Sequence, residues 1–190
     1  MNISFVKGQW NEKDLILAYS FRFTETPIPT QLSDCISGVV NPAHREGFDN
    51  ISLLTHEKYT AGVRATIHCA FEALGCPEII LVPEAESCPD GAVRYGACFE
   101  TVLYKDGVNV WRHYRDDGRC HWHKRLGAEF PVSENDVHEL TVEIKENYLT
   151  FWVDGRKTAL RVEDLPEKFH LGITMCEGVV RVYDFKVETL

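Results

Sequence analysis

The feature that most limits the fold of this chain is the alternation of apolar and polar residues in its last third. The pattern has a period of two in residues 140–145, 149–153 and 171–175, and residues 180–187 close the chain in a similar way. A period of two places successive side chains on opposite faces of a β-strand. Asp154-Gly155 supplies a turn signal, because both residue types tolerate positive φ. The pattern therefore predicts antiparallel hairpins.

The earlier part of the chain continues in the same manner. Residues 18–23, 62–71, 78–82 and 99–104 are typical of further strands, whereas only 166–168, and secondarily 70–75, suggest a helical turn. Many short strands with almost no helical period indicate a sandwich or barrel. With 190 residues, 44% of them hydrophobic, the chain can bury a sizeable core. We expect an all-β, two-sheet antiparallel sandwich that forms a single domain over residues 1–190.

Charge excludes several classes of partner. The formal net charge is −9, from 20 basic and 29 acidic side chains. A general nucleic-acid or membrane-surface binder needs positive charge to meet phosphates, so we expect neither partner. No run approaches the ~20 apolar residues of a membrane helix. Residues 1–8 lack a basic segment followed by a long apolar run, so we expect no signal peptide.

The cysteines point to a reducing compartment. They are odd in number and contain no Cys-x-x-Cys pair, and they are Cys35, Cys69, Cys76, Cys88, Cys98, Cys120 and Cys176. Free cysteine packs as a small hydrophobic residue. We therefore expect reduced thiols in a cytoplasmic protein rather than a disulfide framework or a structural zinc site.

Two motifs carry a resemblance to a known superfamily. Residues 137–144 (Val-His-Glu-Leu-Thr-Val-Glu-Ile) precede residues 149–155, which end in Val-Asp-Gly. Gly172-Ile173 and the final strand at Tyr183-Asp184-Phe185 follow. Over this last third the chain resembles the concanavalin A-like lectin and glucanase superfamily. That resemblance implies a jelly-roll sandwich and favours a carbohydrate ligand, although the superfamily includes lectins, glycosidases, lyases and non-enzymatic modules.

The glucanases of this superfamily carry two glutamates around an aspartate on one strand, so that two carboxyl groups flank the glycosidic bond. This chain has no such run. Glu84-Ala85-Glu86 is the nearest pair, but it lacks the aspartate and follows Pro83 in a loop-like stretch. We interpret it as a solvated loop and assign no catalytic residue.

The segment from Trp111 to Arg125 is the strongest candidate for a binding site. It carries five basic and two acidic side chains in an otherwise acidic chain. Asp117-Gly118 predicts a hairpin turn, and a two-residue loop would pair Tyr114 with His121 and Arg112 with His123. Neither face of this hairpin has the apolar composition that a core requires. At least one face should therefore be accessible to solvent.

The residue types of this hairpin suit a sugar. Aromatic rings can pack on the C–H faces of a pyranose, and Arg and His can donate to hydroxyls or carboxylates, which makes a uronate one option. The predicted ligand-binding residues are Trp111, Arg112, His113, Tyr114, His121, Trp122 and His123. His121 and His123 point the same way, but neighbouring cations repel a metal, so we expect no metal site and no cofactor.

Alternatives from other classes stay open. Jelly-roll lyases use an Arg to neutralise a uronate and a His or Tyr as base, and their motifs loosely resemble Thr66-Ile67-His68 and Tyr104-Lys105-Asp106-Gly107. A protein-interaction module with exposed Trp residues is a second alternative. Residues 41–47 (Asn-Pro-Ala-His-Arg-Glu-Gly) form a candidate loop at the border of a cleft.

Overall fold

A computed structural model describes residues 1–38 and 50–190 of the chain. The described part contains seventeen strands and one short 3₁₀ helix. In chain order the first strands are β1 Asn2–Ser4, β2 Ile16–Ser20, β3 Thr30–Gln31, β4 Ile36–Ser37, β5 Asn50–Tyr59, β6 Val63–Glu72, β7 Cys76–Val82, β8 Glu86–Ser87 and β9 Val93–Tyr95. The remaining strands are β10 Cys98–Tyr104, β11 Gly107–Asp116, β12 Arg119–Glu129, β13 His138–Lys145, β14 Tyr148–Val153, β15 Arg156–Arg161, β16 Phe169–Cys176 and β17 Val179–Thr189.

These strands form two sheets. The eight-stranded sheet has the order β15-β14-β13-β6-β17-β4-β3, with β1 paired to β17. The nine-stranded sheet has the order β12-β11-β10-β7-β16-β5-β2-β9-β8. The pairs are antiparallel apart from β2 and β9, which run parallel. The predicted all-β, two-sheet sandwich is therefore confirmed, with one parallel pair as a difference in detail.

The alternating residues build the core as predicted. Leu140, Val142 and Ile144 on β13 are fully buried, as are Ile79 and Leu81 on β7. These side chains belong to one apolar cluster that takes residues from both sheets. The opposite side chains of the same strands point away from that cluster. The nine-stranded sheet therefore has an outer face, on which the polar residues of β7, β10 and β11 lie.

The carboxylate of Asp154 joins the turn of the Val-Asp-Gly hairpin to strand β13. Asp154 adopts a φ of 49° in the two-residue turn between β14 and β15. Its Oδ1 accepts a hydrogen bond of 2.9 Å from the backbone N–H of Glu139, and its Oδ2 lies 2.7 Å from His138 Nδ1. The other nitrogen of His138 lies 2.8 Å from the carbonyl oxygen of Ser133. The motif therefore links β14 to the start of β13.

Some elements differ from the sequence-based predictions. The segment 166–168 forms no helix, and the 3₁₀ helix of the described part lies instead at Glu12–Asp14, where Asn11 and Asp14 form a capping box. The candidate loop at 41–47 lies outside the described residues. Among the described residues no helix is long and apolar enough to cross a bilayer.

The Asp154 contacts yield a stability prediction. Asp154→Ala should lower the free energy of unfolding by about 2 kcal/mol, because it removes the side chain that contacts both the His138 ring and the backbone N–H of Glu139. Asp117→Ala is the matched control. Asp117 also precedes a turn glycine at positive φ, 45°, but no side-chain hydrogen bond of Asp117 occurs within the described ranges. Urea unfolding of both variants measures the difference, and equal losses would contradict the role of the carboxylate.

Candidate functional site

The hairpin of β11 and β12 has the predicted register. Asp117 and Gly118 form a two-residue turn, with φ values of 45° and 73°. Tyr114 pairs with His121, and Arg112 pairs with His123, as the two-residue loop requires. The register shifts only between Val110 and Trp111, beyond the predicted pairs. The hairpin therefore presents two different faces.

One face lines a cleft on the outer side of the nine-stranded sheet. Trp111, His113 and Trp122 belong to this face, and the cleft has a volume of about 370 Å³. Trp122 is 50% exposed, whereas His113 is buried at the cleft floor. Strand β11 holds Trp111 and His113, and Trp122 comes from the edge strand β12. Both indole rings therefore border a concavity of ligand size.

The other four candidate residues lie on the opposite face. Tyr114 stacks on His121, with ring centroids 5.0 Å apart, and meets the edge of His123 at 5.6 Å. The Arg112 guanidinium lies 4.7 Å from the centroid of the Phe99 ring, and its Nε donates to Asp164 at 3.1 Å. The structure thus separates the seven candidates into three cleft residues and a local cluster of Arg112, Tyr114, His121 and His123.

Neighbouring strands add two buried carboxylates to the cleft. Glu78 on β7 and Glu100 on β10 both line it, with exposures of 3% and 5%. Glu78 pairs with Val102, and Glu100 pairs with Ile80, so the two glutamates are diagonal neighbours on adjacent strands. Alternation along each strand sends both side chains away from the core.

His113 lies between a carboxylate and a guanidinium. Its Nε2 lies 2.6 Å from Glu100 Oε2, and its Nδ1 lies 3.4 Å from Arg22 Nη1. Arg22 comes from the segment after β2, and its guanidinium lies 4.6 Å from the centroid of the Trp122 ring. Arg22 therefore connects the buried His113 to the exposed indole at the cleft mouth.

Burial changes the acid–base properties of the cleft floor. Burial raises the pKa of the Glu78 carboxyl well above its usual value, and the nearby charge of Glu100 raises it further. Oxygen Oε2 of Glu78 has no hydrogen-bond partner among the described residues. The pKa of the Cys98 thiol is also raised well above its usual value, first by burial and then by Glu100. The floor thus favours uncharged forms of Glu78 and Cys98.

The charges that line the cleft are mostly acidic. Its described lining includes the carboxyl groups of Glu78, Glu100 and Glu177, against the single guanidinium of Arg22. Three of the five basic residues of the hairpin contact carboxylates elsewhere. Arg112 and Arg125 both contact Asp164, at 3.1 and 3.5 Å, and Arg115 lies 3.9 Å from Glu86. None of the five basic residues of the hairpin is among the described residues that line the cleft.

The residues behind the lyase alternative lie apart. His68 is on β6 of the eight-stranded sheet, where its Nδ1 lies 2.9 Å from Asp184 Oδ2. Tyr104 is on β10 of the nine-stranded sheet and lines the cleft. The glucanase pattern is also absent from β10, whose outer positions are Cys98, Glu100, Val102 and Tyr104. A single carboxylate occupies that strand's outer face.

Sequence reasoning missed Arg22, Glu78 and Glu100 as cleft residues. A signal was present for the two glutamates, since each interrupts an apolar strand: Cys-Pro-Glu-Ile-Ile-Leu-Val and Cys-Phe-Glu-Thr-Val-Leu-Tyr. A short, nearly continuous apolar run is typical of a buried strand, so a carboxylate within it is expected to be buried and to need partners. The sequence around Arg22 gave no signal, because its contacts in the cleft are with His113 and Trp122, which are distant in the chain.

No family model matches the chain, and no curated protein matches it in sequence. Solved structures match in fold. A carbohydrate-binding module, CBM66 from Bacillus subtilis, superposes with a TM-score of 0.63 at 9% identity, covering 86% of this chain and 92% of that one. A structure from a study of endo-acting O-glycanases of the human gut microbiota gives 0.66 at 12% identity, covering 100% and 98%. β-Agarase A in complex with oligoagarose gives 0.62 at 10%, covering 98% and 82%.

These neighbours share one architecture. They are concanavalin A-like jelly rolls, and the fold is common to carbohydrate-binding modules, lectins and glycan-active enzymes. The present chain has the concanavalin A-like fold, which confirms the resemblance drawn from residues 137–155 and from the final strand.

The burial of Glu78 predicts a pH-dependent cost to stability. A carboxyl group whose pKa is raised by folding loses its proton more readily in the unfolded chain. The free energy of unfolding should therefore fall as pH rises above about 4.3, the usual glutamate value, by up to about 1.4 kcal/mol per pH unit. Glu78→Gln should remove this slope and stabilise the chain at neutral pH.

Urea unfolding across a pH series measures the effect. Glu57→Gln, at an exposed position on β5, is the control and should keep the slope of the unchanged chain. Identical pH profiles for Glu78→Gln and the unchanged chain would contradict the burial argument.

Proposed function

We propose that the chain binds a neutral oligosaccharide in the cleft on the outer face of its nine-stranded sheet. The observation that carries the proposal is the position of Trp122, half-exposed at the mouth of a cleft of about 370 Å³. An indole ring there offers an apolar face to the C–H groups of a sugar. The hydroxyl groups of the sugar need polar partners nearby, and a binding pocket combines both kinds of group.

The polar partners are available on the same face. The Arg22 guanidinium packs over the Trp122 ring and offers several N–H donors. Asn109 and Glu100 line the cleft, and Asn109 Oδ1 is buried without a hydrogen-bond partner among the described residues. Such an atom loses free energy unless a ligand or water satisfies it. A sugar hydroxyl is a suitable donor for it.

Charge favours a neutral sugar over a uronate. Even with Glu78 uncharged, the carboxyl groups of Glu100 and Glu177 outnumber the single guanidinium of Arg22, so a ligand carboxylate would meet net negative charge in the cleft. The sequence-based prediction of a uronate ligand remains untested, and the charges of the cleft do not favour it. The structural neighbours agree with a sugar ligand in general terms, since one is a carbohydrate-binding module and one contains oligoagarose.

A second candidate function is glycan cleavage in the same cleft. Glu78 and Glu100 favour it, because glycosidases use one protonated and one ionised carboxyl group. Glu78 has a raised pKa and supplies the first type of group. New reducing ends in a bound glycan, lost in Glu78→Gln, would support cleavage. If the glycan stays intact after prolonged incubation, cleavage is excluded and only the binding function is supported.

A cytoplasmic location belongs to the same proposal. All seven cysteines lie within the described residues, and no disulfide joins any of them. Reduced thiols suit a reducing compartment. A protein-interaction role remains the third possibility, and a chain that binds no glycan but retains a partner protein would support it.

The binding proposal predicts the effect of removing each indole. Trp122→Ala and Trp111→Ala should each weaken glycan affinity at least tenfold, because a central aromatic contact carries a large share of binding energy. A glycan array with neutral and uronate-containing oligosaccharides identifies the ligand, and calorimetry then measures affinity.

Trp152→Ala is the matched control. Trp152 lies on the other sheet, where its ring packs near Arg64 and Lys157, and it lines a different surface depression. We expect this variant to bind as the unchanged chain does. Loss of binding in Trp152→Ala alone would assign the ligand to the eight-stranded sheet and contradict the proposal.

A further inference from the structure

Three potential metal ligands meet on the floor of the cleft. Cys98 and Glu100 are two residues apart on β10, and His113 lies directly opposite Cys98 on β11. All three side chains are buried, and one ligand atom from each lies within 4.8 Å of the others. Strand alternation and cross-strand pairing therefore bring a thiol, a carboxylate and an imidazole to one point.

We propose that Cys98, Glu100 and His113 bind a divalent transition-metal ion, for which zinc is the best fit. Sulfur, nitrogen and carboxylate oxygen are the ligand atoms that zinc takes in proteins. Three protein ligands leave a fourth position for water or a ligand hydroxyl, as in catalytic zinc sites. That position would open towards the cleft, which the Glu100 and His113 side chains line.

The distances suit a tetrahedral ion. Zinc bond lengths place the ligand atoms of such a site about 3.4–3.6 Å from one another. Cys98 Sγ already lies 3.6 Å from Glu100 Oε1. His113 Nε2 and Glu100 Oε2 lie 2.6 Å apart, so this pair would separate by roughly 0.8 Å on binding. Although His113 Nε2 lies this close to Glu100, the contact does not have hydrogen-bond geometry, and Nε2 has no hydrogen-bond partner within the described part of the chain.

An independent observation is a buried polar atom without a hydrogen-bond partner beside these three ligands. Only 3% of Glu78 is exposed, and this residue lines the same cleft. Its Oε2 has no hydrogen-bond partner among the described residues. It lies close enough to Glu100 and Cys98 for their charges to interact. Buried carboxylates are normally paired or bound to metal. A divalent ion held by Cys98, Glu100 and His113 would attract this unpartnered oxygen atom of Glu78.

Arg22 competes with a metal at this position. Its Nη1 lies 3.4 Å from His113 Nδ1, and a guanidinium repels a cation bound to the same ring. Arg22→Gln should therefore tighten metal binding threefold or more. A purely structural role for His113 and Glu100 predicts no such gain, so this variant distinguishes the two interpretations.

Titration of the chelator-treated, dialysed protein with Co²⁺ tests the proposal. A bound thiolate gives a near-ultraviolet charge-transfer band, and we expect this band to saturate at one equivalent and to disappear when Zn²⁺ displaces Co²⁺. Cys98→Ser should abolish the band. Glu100→Gln should lower Co²⁺ affinity at least tenfold, since even groups that only orient a metal ligand have effects of that size.

Cys88→Ser is the matched control, because Cys88 is a free thiol outside the cluster, and its band should match that of the unchanged chain. The result for the unchanged chain is decisive even if a variant folds poorly. Absence of a saturating band, or a band that survives Cys98→Ser in a folded variant, would overturn the proposal. The titration uses no glycan, so its failure is separate from a failure of the binding proposal.

Discussion

The pairing of β10 with β11 determines where the cleft residues lie. Cys98 faces His113, and Glu100 faces Trp111, so one register brings an imidazole, a carboxylate, a thiol and an indole to the same face. The alternate positions of these strands, such as Phe99 and Val110, enter the apolar core. A shift of one residue would exchange the two sets. Core and cleft therefore depend on the same register.

The cleft floor carries a cost that the core does not require. Glu78 and Glu100 are buried beside each other, and burial raises the pKa of Glu78. An apolar residue at position 78 would avoid the desolvation of a carboxyl group. Groups that reduce stability in a cleft are frequent at binding and catalytic sites. This cost is a second reason, beside the half-exposed Trp122, for assigning the function to this face rather than to the eight-stranded sheet.

Sequence reasoning succeeded where local chemistry fixes the outcome. Asp117-Gly118 determines a two-residue loop, and the loop determines the pairing of Tyr114 with His121. Alternation likewise predicts the core positions of β13 and β14. Alternation did not predict β5, Asn50–Tyr59. The first six residues of this strand are all buried, and apolar and polar residues therefore alternate only weakly along it. The division of the hairpin into a cleft face and a local cluster required the positions of β7, β10 and Arg22. That the whole chain is one domain stays a prediction.

The most direct test of the account is a crystal structure of the chain with a glycan identified by array screening. The account predicts a sugar ring packed against Trp122, with hydroxyl groups directed towards Asn109 and Glu100 on the outer face of the nine-stranded sheet. A sugar bound instead beside Trp152 on the eight-stranded sheet, with an unfilled cleft, would contradict the assignment of the site.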